Sequence, residues 1–132
     1  MRATSPKVLF VGCDPDGFDV AKILTRFSFV TRVPTIQDAF SIAEEDAYDA
    51  VVCPWEFPGG TWRDVLEKVG EMRLQIPVIV LSRCGGETQW VEVLEAGAFD
   101  LLVPPFTNYQ VLAVLEHALA SRRREADCFL SA

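Results

Sequence analysis

Six side chains able to do chemistry sit beside the ends of apolar runs in this chain. They are the thiols of Cys13, Cys53 and Cys84, the carboxylates of Asp14 and Glu56, and the hydroxyl of Ser82. Carboxylates suit a hard divalent cation; thiolates suit a soft metal or react with oxidant. The remaining inventory is thin. A single histidine, His117, leaves no Ser–His–Asp or Cys–His constellation to assemble. No CxxC pair supports zinc, and there is no glycine-rich phosphate loop or nucleophile elbow. The expectation is a non-enzyme with no cofactor and no metal.

Those residues need a scaffold, and 132 residues suit one domain with one core. Half the residues are hydrophobic and 23% are charged, which suits a globular chain rather than a disordered one. The net charge of −7 and pI near 4.6 weigh against direct nucleic-acid binding or an anionic membrane. Arg122-Arg123-Arg124, the one basic run, reads as a cluster at a helix end. No apolar run is long enough to span a bilayer, and Met1 to Lys7 lacks the apolar core of a signal peptide. A cytoplasmic location is the resulting expectation.

Apolar runs alternate with helical patterns five times. Val8-Leu9-Phe10-Val11, Ala50-Val51-Val52-Cys53 and Pro77-Val78-Ile79-Val80-Leu81 read as strands buried on both faces. Phe29 to Val33 alternates and reads as an edge strand; Leu101-Leu102-Val103 is the last. Val20, Ile23, Leu24 and Phe27 fall at helical spacing. Thr35 caps a second helix, facing inward through Ile36, Ala39, Phe40 and Ala43. Pro58-Gly59-Gly60 reads as a turn before a helix from Thr61 to Met72, with Trp62, Val65, Leu66 and Val69 inward. Glu87 to Ala96 is a helix closed by Gly97, with a Val91–Leu94 stripe. Thr107 caps a last helix through Arg124, which places the core at about 7–123 and leaves 124–132 as a tail, either a loose end or a truncated linker. Strand–helix alternation implies a parallel sheet with helices on both faces. Sites in such sheets form at the carboxyl ends of strands, here Gly12 to Asp14, Cys53 to Glu56, Ser82 to Gly86 and Pro104-Pro105.

These strand ends, with Pro58-Gly59, Pro77 to Ser82, Leu94 to Asp100 and Pro104-Pro105-Phe106, resemble the receiver domain of bacterial response regulators, the CheY-like family. The resemblance covers Lys7 to about Arg123. It implies a flavodoxin-like α/β three-layer sandwich with a five-stranded parallel sheet in order 2-1-3-4-5. It also implies a place in two-component phosphorelay signalling. An active receiver carries an acid pair, a phosphoacceptor Asp, a Ser/Thr, a Lys and an aromatic switch residue. Matched by spacing, the acid pair falls on Gly12 and Cys13, the acceptor on Pro54, the hydroxyl on Ser82, the lysine on Pro104 and the aromatic on Leu101. Only Ser82 is kept, with Asp14 as a leftover acid.

Gly12 and Pro54 offer no side-chain oxygen to magnesium and Cys13 only a soft sulfur, so the residues argue against the family's chemistry. The expected function is that of a pseudo-receiver acting by phosphorylation-independent contact with a protein partner. That partner is a signalling protein or an output domain, with a homodimer as a further form. The alternative is an atypical receiver sensing a ligand, metal or redox signal at the strand ends, or phosphorylated at a shifted acid, Asp14 or Glu56. Trp55, Phe57 and Trp62 surround the acceptor position, as a plug or as a binding patch. Trp90 and Leu101, with the final helix, are the expected interaction surface. Pro104-Pro105 is the position where the resemblance implies a cis bond.

Overall fold

Val8 to Val11 are wholly buried because their strand lies inside a sheet covered on both sides. The computed structural model describes residues 6–12, 15–83 and 86–131. Along them run β1 (Lys7–Val11), α1 (Pro15–Leu24), β2 (Phe29–Val33), α2 (Ile36–Glu45), β3 (Ala50–Pro54), β4 (Glu56–Phe57), β5 (Gly60–Thr61), α3 (Trp62–Glu71), β6 (Val78–Leu81), α4 (Glu87–Ala96), β7 (Asp100–Leu102) and α5 (Asn108–Ser131). The main sheet is parallel in the order β2-β1-β3-β6-β7. This is the expected five-strand order, with the short antiparallel pair β4–β5 lying outside it. That hairpin forms where the sequence indicated only a turn. Gly59, at φ +94°, supplies the left-handed residue that lets the chain reverse.

Alternate residues of each strand feed two cores. On one side Leu9, Val11, Val51, Cys53, Val78 and Val80 pack with Phe40 of α2, Trp62, Val65 and Val69 of α3, and Val93 of α4. On the other Val8, Phe10, Ala50, Val52, Ile79 and Leu81 pack with Val20 and Leu24 of α1 and Val111, Leu115 and Ala118 of α5. The helices therefore sort into a three-helix layer and a two-helix layer. Both expected caps are present. The Asp38 N–H donates to Thr35 Oγ1 at 3.1 Å and the Gln110 N–H to Thr107 Oγ1 at 3.1 Å.

Four expectations need correcting. α5 continues as helix to Ser131 rather than ending at Arg124. No Gly or Pro follows Thr107, so nothing in the chain stops the helix. Phe27 lies past the end of α1, in a turn, and is exposed. The inward residue of α4 is Val93, while Val91 of the expected stripe is exposed. Leu101 is buried at 8% exposure beside Val80, Val93 and Ala98, so it is core and not an interaction surface.

Ile79 is 2% exposed at the centre of the sheet. Its truncation leaves a cavity in the core between the sheet and α1 and α5, so Ile79→Ala should lower unfolding free energy by about 3 kcal/mol in urea titration.

Candidate functional site

The carboxyl ends of β1, β3 and β6 lie side by side, because these strands are neighbours in the sheet. Gly12 follows β1, and its N–H donates to the Val33 carbonyl at 2.7 Å. Gly12 adopts φ +95°, which a side chain tolerates poorly. A Cβ there would stand 3.2 Å from Pro54 Cγ, 3.3 Å from Pro54 Cδ and 3.5 Å from Phe57 Cβ. The glycine backbone, the proline ring and the Phe57 side chain thus close on one another. The three nearest atoms to that Cβ are all carbons.

Pro54 is the last residue of β3, opposite Leu81. A proline has no N–H to give the ladder, so it is tolerated where pairing ends. The chain then turns outward through Trp55 and Glu56. Trp62 is 1% exposed, and its ring centroid lies 5.2 Å from that of half-buried Trp55, tilted by 51°. The Trp62 N–H donates to the Trp55 carbonyl at 3.2 Å. On the outer side the Arg63 guanidinium stands 4.5 Å from the Trp62 ring and pairs with Glu92 of α4. Trp62 and Phe57 belong to the core, with Trp55 packed against it. Glu56 is exposed on β4.

Ser82 follows β6 and is buried. Its N–H donates to the Leu102 carbonyl at 2.9 Å, and its Oγ to Gln89 Oε1 at 2.8 Å. Pro104 is exposed, and the Pro104–Pro105 bond is cis. Cys53 is wholly buried, and desolvation pushes its thiol far above the ordinary range, away from the reactive thiolate. Cys13, Asp14 and Cys84 lie outside the described residues. Among the described residues no group of three His, Cys, Asp or Glu is placed to hold a metal ion. His117 is exposed on α5. None of the described helices is long and apolar enough to cross a membrane.

Away from the strand ends, α4 presents Trp90, 46% exposed, and Val91, 40% exposed. The Trp90 indole N–H donates to Asp100 Oδ1 at 3.1 Å. Gln89, Asp100, Arg63 and Glu92 were not singled out from the sequence. Their contacts join different elements, and neither strand nor helix periodicity marks such pairs.

The model of the response regulator receiver domain matches residues 18–116. Response regulator protein PilR of Pseudomonas aeruginosa is 26% identical over 123 residues, covering 92% of this chain and 28% of PilR. Transcriptional regulatory protein PrrA of Mycobacterium tuberculosis is 34% identical over 123 residues, covering 91% of this chain and 52% of PrrA. The chain thus spans about half of PrrA and less of PilR. Among solved structures, the beryllofluoride-activated NtrC4 receiver domain dimer superposes with TM-score 0.77 at 21% identity, covering 88% of this chain and 98% of that one.

Two measurements test the geometry of this site. Gly12→Ala must both leave a favoured glycine conformation and press on the Pro54 ring. It should cost about 1–3 kcal/mol in chemical denaturation, against near-neutrality if the contact were loose. Burial should also keep Cys53 unlabelled by a maleimide at pH 8 in the native protein, with labelling after guanidinium unfolding, as read by peptide mass mapping. Fast native labelling of Cys53 would contradict its burial.

Proposed function

The chain belongs to the response regulator receiver domain family, and from that premise we propose that it is a pseudo-receiver, a cytoplasmic, non-enzymatic module of two-component signalling that acts by protein contact without phosphorylation. The observation that carries this reading is the closure of Gly12 on Pro54, with 3.2 Å between a Cβ at one and the ring of the other. Family resemblance puts an acid at position 12 and the phosphoacceptor at position 54. A glycine and a proline ring at these two positions supply no side-chain oxygen to a magnesium ion. Pro54 has no atom to phosphorylate, and Pro104 has no ammonium to pair with an acyl phosphate. The Ser82 hydroxyl, the one group kept, is turned toward Gln89.

The output surface in this reading is the outer face of α4. Glu87, Val91 and Glu95 share one stripe at four-residue spacing, with Trp90 beside it. An exposed apolar pair between acids suits a partner with an apolar anchor and cationic flanks. The wider charge pattern favours the same partner. α2, α3 and α4 together carry nine acids and only two cations, Arg63 and Lys68, a net −7. The described charged side chains of α1 and α5, Asp19, Lys22 and Glu116, carry a net −1. A second copy of the chain is the other occupant to consider, since the NtrC4 receiver is seen as a dimer.

Tryptophan emission tests the central claim, because Trp55 adjoins Pro54. Titration with magnesium and then beryllofluoride should leave the emission unchanged, and acetyl phosphate should add no phosphate to the intact mass. A saturable emission change, or phosphate mapped to Asp14 or Glu56, would overturn the reading in favour of a receiver with a shifted acid.

A further inference from the structure

α4 is weakly anchored by burial. Val93 is its one buried residue, against Trp62, Val65 and Val69 in α3, and its N-cap, Gly86, contributes no side-chain bond. Something else must set its position on the sheet. Among the described contacts, three polar ones reach it from Ser82, β7 and α3. Ser82 Oγ, just after β6, donates to Gln89 Oε1 at 2.8 Å. Asp100 of β7 accepts the Trp90 indole N–H at 3.1 Å through the same Oδ1 that accepts the Leu101 N–H at 2.8 Å. Arg63 of α3 pairs with Glu92. The last is largely exposed, and such ion pairs hold little. The Ser82 bond differs: its donor is 6% exposed and is itself fixed to Leu102 through the backbone.

We propose that Ser82 is a positioning residue, whose hydroxyl tethers the first turn of α4 through Gln89 and so fixes the face that presents Trp90 and Val91. The hydroxyl is retained at a strand end without acceptor, acid pair or lysine because it serves α4. The meaning of that face as a docking surface rests on the pseudo-receiver reading. The tether itself does not, and it is measured without any partner.

Amide hydrogen exchange across α4, with the Trp90 indole resonance as a second readout, tests it in the full chain. A partly buried side-chain bond of ordinary strength predicts that Ser82→Ala and Gln89→Ala each speed α4 exchange by about tenfold and shift the indole signal. The double variant should be no faster than either single one, and Ser82→Thr should restore the slow rate. Exchange in β1 and β3 should stay unchanged. Additive effects, unchanged α4 exchange, or acceleration spread evenly over the sheet would overturn the tether. If Ser82→Ala does not fold, Gln89→Ala, at a half-buried position, decides by the same readouts. A protein that binds no cationic partner but shows these exchange rates would sink the docking reading and leave the tether standing.

Discussion

Both cores are built on β3. Val51 and Cys53 face one core and Ala50 and Val52 the other, and all five residues of the strand are buried. A strand packed on both faces cannot shift register or rotate without moving every helix around it. What stands at its end is therefore held as firmly as the strand. Here that end is a proline, placed against a glycine whose φ is positive. The centre of the sheet delivers an apolar contact to the edge where open α/β folds usually keep their polar groups. The same rigidity that would aim an acid elsewhere aims a ring here.

Around this contact the polar groups that are present turn toward neighbouring side chains. The Ser82 hydroxyl turns to Gln89, the Trp62 ring meets Arg63, and Arg63 goes on to Glu92. Each connection leaves the strand ends and arrives at α4. The strand-end region is thus coupled to the helix by side chains that need no bound ion to hold them. In an allosteric receiver such coupling would have two arrangements, one for each chemical state. In this chain the described contacts join Ser82 to Gln89 and Arg63 to Glu92.

Much of this was legible in the residues. Five apolar runs gave the parallel sheet, and the alternating run Phe29 to Val33 gave its edge. Thr35 and Thr107 announced their helices, because a cap is a local bond between near neighbours. Trp62 was placed inward by helical spacing alone. The misses are equally physical. α4 buries one side chain, so its apolar residues carry no reliable phase, and Val91 was taken for Val93's face. Three arginines resembled a helix end, although nothing after them breaks a helix. Leu101 was judged by the role of its position, yet in a three-residue strand under α4 it is simply covered. The bonds onto α4 join residues 7, 10 and 29 apart on separate elements, and periodicity is silent about such pairs.

The unequal charge of the two helix layers has a mechanical reading. Among the described side chains, a net −7 on the helices of one side of the sheet and −1 on those of the other gives the two helix layers a dipole whose axis runs across the sheet. In the field of a positively charged surface such a body feels a torque before it feels a contact. It would turn its three-helix layer forward while still separated by about a Debye length, roughly 8 Å at physiological salt. Orientation would then be largely settled during approach, and collisions with the α1–α5 side would be rarer than its share of the surface suggests.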